Sequence, residues 1–285
     1  MDRRIRGLLG GRCSIWAVNY HQTLLSNSRR LESHFRWYSQ EFENVGQSEL
    51  FAFVDRGEWR HGRPGIIVTF DDGFRSNFEV AAPLLERFGL TGWFMVPSGF
   101  LDCPPALQRE FAACHALPGA FREVPAADGR VAMTWSEVQD LAARGHVIGC
   151  HTMTHRRLGP GIGGETLNDE TAVAAARISR FVGRDVSSFA WVGGEPESYS
   201  ESSIRAVLRA GFRFSLHSCG GTTHATVSAG NVFRNNVEDR WPVALAQMQL
   251  SSLNSLLTLR SRRRILGVLS SAIRSVASSA ESAQS

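Results

Sequence analysis

The chain of 285 residues predicts an α/β fold built on a mostly parallel sheet. Three observations carry that expectation. Short apolar runs without polar alternation recur, IIVTF at 66–70 being the clearest, and such runs read as strands covered on both faces. Amphipathic stretches of helix length separate them. Glycines stand where those helices should stop, at Gly89, Gly145 and Gly211.

The elements follow in order. IWAVN at 15–19 is a first strand, ending at Tyr20-His21. Residues 29–57 read as one or two amphipathic helices with Leu31, Phe35, Tyr38 and Phe42 on one stripe. The strand at 66–70 comes next, then a helix over 77–88 and a strand over 92–96. Residues 101–130 are rich in Pro, Ala and Gly, and so long a connection is expected to lie near a site. Thr134 is placed to cap a helix, with Glu137 at capping-box spacing. A strand over 146–150, a helix over 166–182, a strand over 188–192 and a helix over 200–210 continue the alternation. Strands over 212–216 and 232–237 complete it. Seven or so strands leave an open sheet and a barrel both possible. The expected organisation is an N-terminal strand and helices (1–59) packed on the main unit (60–242), followed by a basic helical tail (243–285).

Composition excludes several classes. Apolar content of 43% and charged content of 20% are those of a globular protein, and no apolar run is long enough to span a membrane. The basic N-terminus resembles a signal peptide, but Gly10, Gly11 and Arg12 break its apolar stretch, so none is expected. Five cysteines without metal spacing read as reduced, which points to the cytoplasm. After Pro242 stand five arginines and one acid, so the net charge of +4 resides in the tail and the body is balanced. No nucleic-acid surface is expected. The tail reads as a terminal helix packed on the body; the alternative is a basic amphipathic helix on a membrane surface.

Two strand ends carry the chemistry. Asp71 and Asp72 follow the strand 66–70, and Gly73 permits a turn. His151 ends the strand 146–150, and His155 follows four residues later, which on a helix or tight turn puts both imidazoles on one face. The C-terminal ends of parallel strands share one mouth. A carboxylate and two neutral histidines make a three-ligand metal site with open positions. A divalent cation also makes the adjacent carboxylates tolerable. If Asp72 is a ligand, Asp71 is left as a base.

TFDDG at 69–73 with HTMTH at 151–155 resembles the first two motifs of the polysaccharide deacetylases, the NodB-homology family. YHQT at 20–23, the helix holding HFRWY at 34–38 and the order of elements to about residue 238 resemble members that de-N-acetylate bacterial surface glycans. The resemblance implies a distorted (β/α) barrel with fewer than eight repeats. It implies a metal, usually Zn2+, on Asp72, His151 and His155, with Asp71 as general base. The substrate implied is an N-acetylated amino sugar of a poly- or oligosaccharide, and the products are acetate and a free amine.

Later motifs depart from the family. Ala190, in SFAWVGG, stands where an arginine that orients the base is common, and Arg234 in NVFRNN is the expected substitute. The histidine that supplies the general acid is absent as a motif; His217 is preferred to His224 in that role. Tyr20-His21 is expected to be structural, and Trp191 to stack on a sugar face. The motifs are equally compatible with a deformylase or deacetylase of a lipid- or nucleotide-linked sugar. A non-catalytic glycan-binding relative and a non-haem iron oxygenase are the rivals from other classes.

Overall fold

The computed structural model describes residues 14–57, 59, 61–223 and 230–282. Seven parallel strands close into a barrel: β1 (Ile15–Tyr20), β3 (Gly65–Phe70), β4 (Gly92–Val96), β5 (Val147–Cys150), β6 (Ser188–Ala190), β7 (Phe214–His217) and β9 (Asn231–Asn236). Closure is made by β1, which pairs along its whole length with β3, from Ile15↔Gly65 to Tyr20↔Phe70, and on its other edge with β9. The N-terminal strand is therefore a stave of the barrel. This corrects the expectation that residues 1–59 only pack on a unit starting at 60. The barrel is distorted: β5 and β6 share the single pair Cys150↔Phe189. Two short strands were not foreseen, β2 (Glu43–Asn44) beside β3 and β8 (Thr222–Thr223) antiparallel to β1.

Side chains alternate across each strand, and the two sets enter different cores. Ile15, Ala17, Ile67, Trp93, Met95, Val147, Leu216 and Val232 form one cluster inside the barrel. Leu50 and Phe53 of the helix Gln47–Arg56 join it and plug one end. The alternate set, including Trp16, Val18, Val68, Phe94, Ile148 and Phe189, packs under the surrounding helices. The stripe of Leu31, Phe35, Tyr38 and Phe42 belongs to that outer layer, on and just after the helix Ser28–Glu41.

Followed toward the strands' C-terminal ends, the inward rows change character. Ile15 and Ala17 lead to Asn19, Ile67 leads to Thr69, and Val232 leads to Arg234. A buried polar layer thus replaces the apolar one below the mouth. The connection 101–130 holds short helices, Gln108–Cys114 among them, and its middle, from Cys114 to Arg122, lines the same mouth. The tail forms the helices Val243–Gln249, Ser252–Leu257 and Leu259–Ser282. The first packs on Ser28–Glu41 and the last on Glu201–Arg209, through Ile265, Leu269 and Ala272.

Candidate metal and catalytic centre

The two carboxylates leave β3 in different directions because the backbone turns between them. Asp71 continues the ladder, its N–H donating to the Tyr20 carbonyl, and so keeps the inward parity of Ile67 and Thr69. Asp72 adopts a left-handed conformation (φ 73°), as does Gly73 (φ 67°). The histidine segment does the same on the facing strand. His151 continues β5 with the inward parity of Val147, and Thr152 and His155 both have positive φ (64° and 56°). Non-glycine residues pay for this conformation, and such outliers gather at functional sites.

These turns bring Asp72, His151 and His155 together, with one ligand atom from each lying within 4.8 Å of the others. Asp72 Oδ1 is 3.5 Å from His151 Nε2 and 3.3 Å from His155 Nε2, yet this buried oxygen has no hydrogen bond. The other ring nitrogens are engaged: His151 Nδ1–H donates to the Ala190 carbonyl at 2.9 Å, and His155 Nδ1–H to that of His115 at 2.8 Å. Each imidazole is thereby oriented with Nε2 toward the carboxylate, and in its neutral form that nitrogen offers a lone pair there. An orphaned buried oxygen with two free lone pairs aimed at the same point is the donor set of a metal, and the residues fit one. Burial would raise the Asp72 carboxyl, but His155 and then His151 hold it well below the usual carboxylate range.

Asp71 is held apart from that triad. Its Oδ1 takes a 2.6 Å ion pair from Arg234 Nη1, and its Oδ2 a 3.0 Å bond from Asn19 Nδ2. Oδ2 lies 3.9 Å from His151 Nε2, so it borders the triad. Burial would raise this carboxyl too, but Arg234 and then His151 bring it below its ordinary value. Arg234 Nη1 also donates to Asn19 Oδ1 and Thr69 Oγ1, and Nη2 to Ser218 Oγ. The arginine expected from a neighbouring strand therefore does reach Asp71.

Two expectations are corrected, and strand parity explains both. In β7 the inward residues are Phe214 and Leu216, so His217 points outward into the helix layer. It is fully buried, with Nε2 donating to Asn231 Oδ1 at 3.0 Å and Nδ1 accepting from the Tyr199 hydroxyl at 2.6 Å. Burial lowers its pKa to about 3, which favours the neutral ring, and it does not line the site cavity, so the geometry does not support it as the acid. After β6 the inward residue is Ala190, so the Trp191 ring turns outward. That ring is packed against Phe189 and Tyr199, donates Nε1–H to Ser215 Oγ at 2.7 Å, and is 1% exposed. The residue borders the site cavity, but with its ring buried in this way stacking on a sugar is not its role here. His224 lies outside the described residues.

The structure adds residues that sequence reasoning missed. His21 lines the mouth, and its charge contributes to lowering both Asp71 and Asp72. The signal was available: 15, 17, 19 and 21 share one parity. Glu170 is buried and grips the histidine segment, accepting from the backbone N–H groups of Met153 and Thr154 (both 2.9 Å) and from Thr154 Oγ1 (2.5 Å). It comes from an unforeseen π-helical turn, Asp169–Val173. Asn19, His21, Asp71, Asp72, His151, His155 and Glu170 border a cavity of about 1050 Å3, whose wall also includes Arg122, Arg156, Arg157 and Glu238.

Comparison with known proteins agrees with this geometry. The family model described as polysaccharide deacetylase matches residues 60–215, more than half of the chain. Among solved structures, the Streptococcus pyogenes deacetylase PplD aligns with a TM-score of 0.65 at 12% identity, covering 83% of this chain and 98% of that one. A de-N-acetylase from Aggregatibacter actinomycetemcomitans aligns with a TM-score of 0.63 at 16% identity, covering 83% and 99%. IcaB from Ammonifex degensii aligns with a TM-score of 0.61 at 18% identity, covering 85% and 97%. At such identities the structural likeness shows the fold alone. No curated protein matches the chain.

Proposed function

From the premise that the chain belongs to the polysaccharide deacetylase family and is a carbohydrate de-N-acetylase, we propose that it hydrolyses the N-acetyl group of amino sugars in a bacterial poly- or oligosaccharide, with a divalent metal, Zn2+ foremost, held by Asp72, His151 and His155. The observation that carries the metal is the orphaned Asp72 Oδ1 between two imidazoles whose Nε2 atoms are left free. When bound, such an ion supplies a Lewis acid for the acyl carbonyl and makes water a stronger acid.

The chain's own groups account for the proton traffic. Asp71 is kept ionised by Arg234 and presents Oδ2 beside the triad, so Oδ2 accepts the proton of the attacking water. Asn19 and Arg234 hold the carboxylate still while it does so. His21 lines the wall of the same cavity, and we assign it the role of giving a proton to the departing amine. The cavity, at about 1050 Å3, is at the upper end of ordinary ligand sites and has room for more than one sugar unit. Its charged wall suits hydroxyl-rich ligands bound by hydrogen bonds rather than by aromatic stacking.

The test is acetate release from a panel of N-acetylglucosamine oligomers by metal-reconstituted protein, with Asp71→Asn alongside. Release that needs added metal and disappears in the variant supports the proposal. Release that survives Asp71→Asn overturns the assignment of the base.

A further inference from the structure

The exposed large apolar side chains of the described residues are not scattered evenly. Leu253, Leu256 and Leu257 are 64%, 67% and 74% exposed on one short helix, and Met248 is exposed on the helix before it. Leu253, Leu256, Leu257, Arg260 and Arg264 recur at helical spacing, and Thr258 joins the two helices in an αR conformation, so the row continues across the join. Arg260, Arg263 and Arg264 are exposed on the same side. The opposite side is the packed one, where Arg262, Ile265 and Leu269 are buried. No Asp or Glu occurs between Asp239 and Glu281.

The face is rigidly mounted. Arg262 Nη1 donates to the Thr222 carbonyl at 3.2 Å and Nη2 to Ser255 Oγ at 3.0 Å, and its guanidinium lies over the Phe233 ring. Asn254 Nδ2 donates to Asn235 Oδ1 at 3.2 Å. The mount also sits beside the mouth. Arg264 pairs with Glu197 at 2.9 Å, just beyond the 191–193 segment that borders the cavity, and Gly220, close to Thr258 and Asn254, follows Ser218 of the cavity wall.

We propose that this leucine–arginine face of residues 248–264 docks the protein on an anionic lipid bilayer, with the mouth beside the membrane surface. Leucines that enter the headgroup boundary beside arginines that meet anionic lipid make up the chemistry of interfacial helices. Charge decides against a second copy as the occupant: Arg264 is already answered by Glu197, and the paired faces would still bring together Arg260 and Arg263 of both copies with no acid on the segment to answer them. The proposal is independent of the metal centre.

The experiment is co-sedimentation of the full chain with vesicles of phosphatidylcholine alone and of phosphatidylcholine with phosphatidylserine, at low and high salt. The expected result is binding to the anionic vesicles only, weakened by salt. Leu256→Ser/Leu257→Ser and Arg260→Glu/Arg263→Glu should each cut partitioning by about tenfold or more. Their melting temperatures and their acetate release from a soluble oligosaccharide should stay unchanged, since none of the four residues touches the cavity. Binding that ignores lipid charge, variants that bind like the parent, or no binding at all would overturn the proposal. So would light scattering that shows a dimer which the leucine variant dissolves.

Discussion

Replacing Arg234 by methionine separates what holds Asp71 from what Asp71 does. The guanidinium is fully buried and its Nη1 lies 2.6 Å from Asp71 Oδ1. Charge centres roughly 4 Å apart attract by about 4 kcal/mol at an effective dielectric of about 20. Removing one member of a buried pair costs about 3–5 kcal/mol, because the other charge stays behind uncompensated. Arg234→Met is therefore expected to lower the unfolding free energy of metal-free protein by about 3–5 kcal/mol in urea, with an unchanged denaturant slope. Asp71→Asn strands the guanidinium and should cost a comparable amount. The double variant should cost less than the two together, by about 2–3 kcal/mol. The same substitution bears on the chemistry. Burial pushes the Asp71 carboxyl up and Arg234, then His151, pull it below its usual value. Without Arg234 the carboxyl rises, so the acid limb of the pH–rate profile should move to higher pH and kcat should fall more than KM changes. Additive stability losses together with an unmoved acid limb would refute the reasoning that Arg234 sets the charge of Asp71.

Further expectations concern the surrounding shell. Glu170→Ala removes the acceptor of three hydrogen bonds that set the histidine segment, so metal affinity measured by calorimetry should fall about 10–100-fold; an unchanged affinity would leave Glu170 with no role in placing the ligands. His21→Gln should lower kcat by about 10²–10⁴-fold, whereas His217→Gln should cost about 1–2 kcal/mol of stability and leave the pH–rate profile alone; the reverse pattern would restore His217 as the acid. Burial raises the Glu123 carboxyl to about 7, against the hydrogen bonds from Ser76. A folded value above the unfolded one means stability that is full below the ordinary Glu value and is lost as pH climbs through about 7, amounting to about 3 kcal/mol at about 1.4 kcal/mol per pH unit. Glu123→Gln should flatten that slope between about pH 4.5 and 7 in thermal melts, and an equally steep slope in the variant would assign it to other groups.

Much of the site was legible because its residues sit where strands end. Asp71, Asp72, His151 and His155 each follow a strand that its own apolar run declares, and parallel strands share a mouth. Arg234 was legible for the same reason, as a charged residue inside a strand that had no other use for it. Side-chain parity was also in the sequence, since an apolar run buried on both faces conceals which residues face inward only until a functional residue fixes the phase. With Asp71 and His151 inward, Asn19 and His21 follow from β1 once its register with β3 is known. His217 and Trp191 fall on the other face by the same count. The register itself was not legible, because it depends on the barrel closing through β1. Nor was Glu170, which reaches the histidine segment from a π-helical turn that no spacing rule announces. The carbonyl of His115 is a similar case: backbone from the long connection orients His155, and any residue type could supply it.

The most direct test of the central claim is a titration of Zn2+ into metal-stripped protein, with bound metal and acetate release followed in the same samples. The account predicts one equivalent bound per chain, acetate release that rises in step and stops at that equivalent, and loss of both in Asp72→Ala and His151→Ala. Full acetate release from stripped protein, or metal bound as tightly by those variants as by the parent, would contradict it.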